Sequence, residues 1–252
     1  MSFRQVTQIY FSPTKTTSTI TGRIADKFGA SALVSLSKEP DDLQFGESDV
    51  VIAGMPVFAG RIPGVAKQRL MKIKGNKTPA IAVVVYGNRA YEDALLELQN
   101  TLEQNGFIVV AAAAFIARHS LFASVAADRP DARDLEIIDD FTLKSLAKIK
   151  AGNLVSVPVP GNFPYKDVSP FPLIPTANEK CVSCAKCAEV CPVGAIAREK
   201  PQETKASQCI SCAACVFACP EHARSFKGAV FERAQTMILP KCVNYLEPEI
   251  FI

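Results

Sequence analysis

Eight of the nine cysteines in this chain of 252 residues fall between Cys181 and Cys219, in two runs of one pattern. The segments CVSCAKCAEVCP, residues 181–192, and CISCAACVFACP, residues 209–220, both read C-x2-C-x2-C-x3-C-P, and each cysteine recurs 28 positions later. A triplet of thiolates with this spacing lets a short loop wrap three iron corners of a cubane, with backbone N–H groups turned toward its sulfurs. The fourth cysteine, followed by Pro192 or Pro220, enters a segment that points away and reaches the other repeat's cluster. One 4Fe-4S cluster is then expected on Cys181, Cys184, Cys187 and Cys219, and a second on Cys209, Cys212, Cys215 and Cys191. Zinc also accepts four cysteines, but zinc ribbons supply them as two separated C-x2-C pairs, not as a triplet and a singlet before proline. A disulfide scaffold fits small secreted domains, whereas a long cysteine-free stretch able to form its own core precedes these runs. Cys242, outside both runs, reads as a buried apolar side chain.

A second constellation lies near the N-terminus. The segment SPTKTTS, Ser12 to Ser18, follows the first strand-like run and opens a helix, which is where doubly wound sheets bind phosphate. Ser12, Thr14, Lys15, Thr16 and Thr17 are the candidate phosphate contacts, although serine and threonine at a helix start also serve as ordinary caps. No glycine occurs between Phe11 and Thr21, so neither the dinucleotide fingerprint nor the nucleoside-triphosphate loop is present, which favours a mononucleotide. Two further loops follow strand ends: GMPVFAGRIP, residues 54–63, and YGNRAYEDAL, residues 86–95. They offer Pro56, Val57, Phe58 and Gly60, and Gly87, Asn88, Arg89, Ala90, Tyr91 and Asp93, at the rim where an open α/β sheet places its ligand. Phe58 and Tyr91 are candidates to lie against a flat ring, and the backbone from Gly87 to Ala90 to bond its polar edge. His119, in ARHS after the fifth strand-like run, is the one candidate acid–base group at this rim.

The elements that must position these residues are legible in the apolar pattern. Strands are expected at Val6 to Phe11, Ala32 to Leu36, Asp49 to Gly54, Ala80 to Tyr86 and Phe107 to Ala117, alternating with amphipathic stretches as in βαβ units. Ile20, Ile24 and Phe28 recur at four-residue spacing within Thr17 to Phe28, as a helix laid on a sheet requires. Further helices are expected from near Pro63, from near Tyr91 and across Asp131 to Lys150. Prolines at 158, 160, 164, 170, 172 and 175, interleaved with Phe163, Tyr165 and Phe171, exclude helix and central strand. They predict an extended strap, residues 153–176, between an α/β domain of residues 1–152 and a cysteine domain of residues 177–252.

The cysteine runs closely resemble bacterial two-cluster ferredoxins over about residues 177 to 228. The first 150 residues resemble flavodoxins, so the whole chain is similar to the flavodoxin–ferredoxin fusion family. The resemblance implies a flavodoxin-like doubly wound sheet of five parallel strands in the order 2-1-3-4-5, plus a small α+β ferredoxin-like domain. It also implies bound FMN, its phosphate on residues 12–17 and its ring between the loops at 54–63 and 86–95. One departure stands out: the flavodoxin phosphate loop carries a glycine between threonines, while this chain reads Pro13, Thr14, Lys15.

Composition is that of a globular protein, with 48% hydrophobic and 21% charged residues. The formal charge of +3 is spread among acids without a basic tract, which argues against a nucleic-acid partner. Two oxidised cubanes with their thiolates would add about −4, bringing the loaded protein near −1. The longest apolar run, Phe107 to Ala117, is 11 residues, short of the roughly 20 a membrane span needs. Without a leader-like segment at the start, the expected location is cytoplasmic. An electron carrier exchanging single electrons with a redox partner protein or a small-molecule acceptor fits best. An FMN-dependent reductase of a small molecule is the alternative, and a redox sensor would need an interaction motif that is not found. A reductase site would need convergent acid–base groups, of which only His119 is in view.

Overall fold

The computed structural model describes residues 3–168 and 173–252. Five parallel strands carry the first half: β1 (Gln5–Tyr10), β2 (Ala32–Ser35), β3 (Asp49–Pro56), β4 (Thr78–Tyr86) and β5 (Phe107–Ile116). All of β4 and nearly all of β3 and β5 are buried, which is why they read as unbroken apolar runs rather than alternating ones. Helices α1 (Thr16–Phe28) and α4 (Ala132–Lys150) cover one face through Ile20, Ile24, Phe28, Ile138, Phe141 and Ile149. Helices α2 (Gly64–Leu70) and α3 (Ala94–Gln104) cover the other through Ala66, Leu70, Leu95, Leu98 and Leu102. α1 stops at Gly29, whose φ of 73° is left-handed, and α4 starts with a reciprocal capping box between Asp131 and Asp134. α1 sits close to β3 because Gly54 has no side chain: a Cβ there would meet the Thr21 methyl at 2.5 Å.

The sheet has six strands, in the order β6-β5-β4-β3-β1-β2, where β6 (Glu249–Phe251) is antiparallel to Ala112–Ala114 of β5. The five-stranded, all-parallel sheet expected from sequence is corrected by this added strand. Three residues are too few to show a period, and β6 pairs the free edge that β5 would otherwise expose. Two minor ladders complete the pairing, Gln44–Phe45 with Lys74–Gly75 and Thr176–Ala177 with Arg224–Ser225.

Residues 153–168 run extended along α3. The Val157 amide donates to the Val109 carbonyl at 3.0 Å, and the Gln99 side-chain amide donates to the Val157 carbonyl at 2.6 Å. Asp93 accepts from the amides of Asn162 and Lys166 at 2.8 and 2.7 Å, and the Arg61 guanidinium lies 4.5 Å from the Tyr165 ring centre. Pro170, Phe171 and Pro172 lie outside the described residues.

After the cysteine runs the chain forms α7 (Ala229–Ile238), following the one-turn helices α5 (Lys186–Glu189) and α6 (Ala214–Phe217). It then returns to the sheet: the Asn88 side-chain amide donates to the carbonyls of Cys242 and Asn244, and the Tyr91 hydroxyl to Glu249 at 2.7 Å. An apolar cluster of Phe122, Val125, Leu173, Ala213, Phe226, Ala234 and Cys242 joins the loop after β5 to this region.

Glu97 on α3 organises the loop after β3. Only 3% of its side chain is exposed, and it accepts from Arg61 Nε and Nη2 at 2.7 Å each, from Lys67 at 3.0 Å and from the Ile62 amide at 3.2 Å. Burial alone would raise its pKa, but the bonds from Arg61 and Lys67 outweigh it and hold the carboxyl below its ordinary value. A depressed folded pKa contributes stability above the unfolded value, about 4.3, and loses it as pH falls through the folded one. Glu97→Gln should therefore cost about 1.5–3 kcal/mol at neutral pH. In urea titrations the deficit should shrink as pH drops below about 4, and a deficit that is equal at every pH would contradict this account.

Candidate functional site

The two cysteine loops share their backbone shape as well as their sequence. Ser183 and Ala185 have φ of 56° and 59°, and Ser211 and Ala213, 28 positions on, have 53° and 63°. These left-handed turns at non-glycine residues cost about 1–2 kcal/mol each, and successive turns of this kind curl amide N–H groups inward into an anion-holding nest. Gly194 at 63° and His222 at 49° continue the match. Each singlet cysteine accepts an amide four residues on, Cys191 from Ala195 at 3.2 Å and Cys219 from Ala223 at 3.3 Å.

The thiols border two cavities. Cys181, Cys184, Cys187 and Cys219 line the first, with Lys186, Pro201, Glu221 and Arg224. Cys209, Cys212, Cys215 and Cys191 line the second, with Pro175, Ile196 and Thr204. The fourth wall of each cavity thus comes from the other repeat. Among the described residues no trio of His, Cys, Asp or Glu converges on one point as a single metal ion would need. Burial pushes the Cys212 thiol up to about 12 and raises Cys187, Cys209 and Cys215 as well. Ligation must therefore displace protons from them.

A third cavity opens at the carboxyl ends of the strands, where an open α/β sheet places its ligand. Of the residues expected at a flavin, Thr14, Thr16, Thr17, Pro56, Val57, Phe58 and Gly87 line it, and so does His119. Lys15 precedes α1 with φ of 68°, the conformation that glycine favours, so this loop keeps a left-handed turn under a lysine. Ser12 accepts the Ser18 amide at 3.0 Å. The Thr17 hydroxyl is buried with no hydrogen-bond partner, its residue 1% exposed, in the cavity wall. An orphaned donor beside the free first-turn amides of a helix is the donor set an anionic phosphate requires.

His119 is largely buried, and burial followed by the nearby Arg89 charge lowers its pKa to about 4. Its Nδ1 accepts from the Leu121 amide at 3.1 Å and the Phe122 amide at 3.4 Å. The imidazole is thus neutral at pH 7 with its proton on Nε2. Gly87 is required beside it, since a Cβ there would sit 2.5 Å from the ring.

Several expected contacts are placed elsewhere. Asn88 and Tyr91 hold the returning C-terminal segment, Asp93 holds residues 162–166, and Arg89 pairs with Glu92 at 2.9 Å. Gly60, with φ of 87°, lies under the Glu92 carboxylate within a tight turn closed by Phe58 and Arg61. Neither Ala90 nor the side of the loop carrying Ser12 and Lys15 lines the cavity. Tyr86, Arg118 and Ser120 line it instead; the neighbourhood of His119 in ARHS was the available signal for the last two. Burial pushes the Tyr86 hydroxyl up to about 12, so it remains protonated.

Cys212 lines the strand-end cavity as well as the second cysteine cavity. Arg69 helps fix this contact, donating to the Leu36 carbonyl at 2.9 Å and to the Pro192 carbonyl, in the first cysteine run, at 2.7 Å.

Residues 180–224 match the family model of the 4Fe-4S dicluster domain. No curated protein matches the chain. Among solved structures, an archaeal flavodoxin is 12% identical with a TM-score of 0.38, covering 58% of this chain and 99% of that one. Flavodoxin 1 from Bacillus cereus is 16% identical with a TM-score of 0.43, covering 57% and 97%. The rubredoxin:oxygen oxidoreductase of Desulfovibrio gigas is 16% identical with a TM-score of 0.39, covering 60% and 37%. The strand order, rather than these likenesses, identifies the N-terminal part. The chain thus carries parallel strands in the flavodoxin-like order β5-β4-β3-β1-β2, followed by a segment, residues 180–224, that matches the 4Fe-4S dicluster domain.

Proposed function

We propose that the protein relays single electrons between a redox partner and an FMN held at the strand ends, through two 4Fe-4S clusters on Cys181, Cys184, Cys187 and Cys219 and on Cys209, Cys212, Cys215 and Cys191. A cubane passes one electron at a time, while FMN accepts one or two. The single observation carrying this reading is Cys212, whose side of the second cysteine cavity is also a wall of the strand-end cavity. The sheet unit takes residues 1–152 together with the returning strand β6, which the expected division at 177–252 had left with the cysteine domain; the strap takes 153–176.

The chain's own groups have separable tasks. Thr14, Thr16 and Thr17 with the α1 amides hold the phosphate, and Val57 and Phe58 flank the ring. His119 offers an Nε2–H donor and lacks the protonated form a general acid would need at neutral pH. That favours a carrier over an FMN-dependent reductase of a small molecule, because the one acid–base candidate at the rim is held neutral. No described helix is long and apolar enough to cross a membrane.

Anaerobically purified protein should contain about eight irons, about eight sulfides and one FMN per chain; two zincs without flavin would defeat the proposal. Cys219→Ser, although in the second repeat, should abolish the cluster centred on Cys181–Cys187 and leave that of Cys209–Cys215, as iron analysis and electron paramagnetic resonance of the reduced protein would show. Loss of the second repeat's cluster instead would mean that each repeat holds its own. Thr17→Val should weaken FMN binding by about 10- to 100-fold, equivalent to 1.4–2.8 kcal/mol, read by flavin fluorescence titration. An unchanged affinity would remove Thr17 from the phosphate site.

A further inference from the structure

The duplication that matches cysteine to cysteine breaks at one buried position. Ala195 and Ala223 correspond, but 28 residues after Ile196 stands Arg224. Both are buried, at 5% and 2% exposure. Ile196 lines the cavity of Cys209, Cys212, Cys215 and Cys191, and Arg224 that of Cys181, Cys184, Cys187 and Cys219.

Arg224 is a charge without a protein counter-ion. It donates to the carbonyls of Pro201 and Pro175 and to the Thr204 hydroxyl, all neutral acceptors, and its Nη1 lies 3.9 Å from Cys187 Sγ. Its Nε is buried with no partner. Among the described residues no carboxylate pairs with it: Glu221, on the same cavity, is exposed, as is Lys186. A guanidinium stays protonated in proteins, and burying an uncompensated one costs several kcal/mol. The anion that offsets this cost must enter the cavity, and a thiolate-ligated cluster is such an anion.

We propose that Arg224 is a potential-setting residue: a permanent buried cation that raises the reduction potential of the clusters, most strongly the one held by Cys181, Cys184, Cys187 and Cys219. Reduction adds one electron, from an external donor, and no proton. The cluster becomes one charge more negative, so a nearby fixed cation stabilises the reduced form more than the oxidised one. Ile196 gives the other cluster no such help. An electron shared by the pair therefore rests on the cluster whose cavity shares no residue with the strand-end cavity, leaving the Cys212 cluster to act as the step between it and the flavin. The proposal rests on the cluster assignment above.

The test is a dithionite potentiometric titration of anaerobically reconstituted holoprotein, followed by electron paramagnetic resonance, in the unaltered chain and in Arg224→Lys, Arg224→Gln and Arg224→Met. Iron and sulfide counts come first, since fewer than about eight irons in the unaltered protein would fail the cluster assignment itself. With both clusters present, Met and Gln should make the more oxidising cluster at least tenfold harder to reduce, about 59 mV for a one-electron couple, while Lys should shift it by less than tenfold. Gln retains donors to the Pro201 and Pro175 carbonyls, so it carries the test should Met fail to load. Potentials unmoved in a neutral variant holding eight irons, or a larger shift at the Cys209–Cys215 cluster, would overturn the role given to Arg224.

Discussion

The position of Cys212 in the walls of two cavities is the constraint on which the architecture turns. A ligand loop swinging on a free linker would sample many distances from the strand ends, and electron exchange would follow the few close ones. Here the loop is fastened on several sides. Arg69 ties the first cysteine run to the sheet unit, Phe122 stacks on Phe231 with ring centres 5.5 Å apart, residues 153–168 lie along α3, and β6 is sewn into the sheet. Each fastening is modest by itself, and together they leave the cysteine region little freedom.

The strand-end pocket shows how burial assigns chemical roles. His119 loses its cationic form because water is excluded and Arg89 is near, while Tyr86 keeps its proton for the same first reason. What remains facing the cavity is Arg118 together with neutral donors, among them the orphaned hydroxyl of Thr17. Such a lining binds and orients without committing a proton. Lys15 holds the left-handed turn before α1 without a glycine, at a cost of roughly 1–2 kcal/mol.

What could be read from sequence divides along the range of the interactions involved. The five main strands were legible because burial on both faces leaves continuous apolar runs, and the cysteine loops because ligand spacing within a loop is a local property. That each cavity takes a cysteine from both repeats agrees with the proline after each fourth cysteine, which turns that residue out of its own loop. The rim residues Asn88, Tyr91 and Asp93 make side-chain contacts that no local pattern announces, because their partners lie far along the chain: Tyr91 meets Glu249, 158 positions away, and Asp93 meets Asn162. β6 leaves no periodic trace in three residues, and the entry of Cys212 into the strand-end cavity depends on docking between distant segments, which no local pattern encodes.

The antiparallel strand β6 has a consequence in time. It lies after both cysteine runs in the chain and supplies the outer edge of a sheet whose other strands come first. A polypeptide emerging from the ribosome in sequence order must extrude both cysteine runs before that edge can be sealed. Until Glu249–Phe251 docks, Ala112–Ala114 of β5 present an unpaired edge, the kind of template on which a nascent chain can take up a foreign strand.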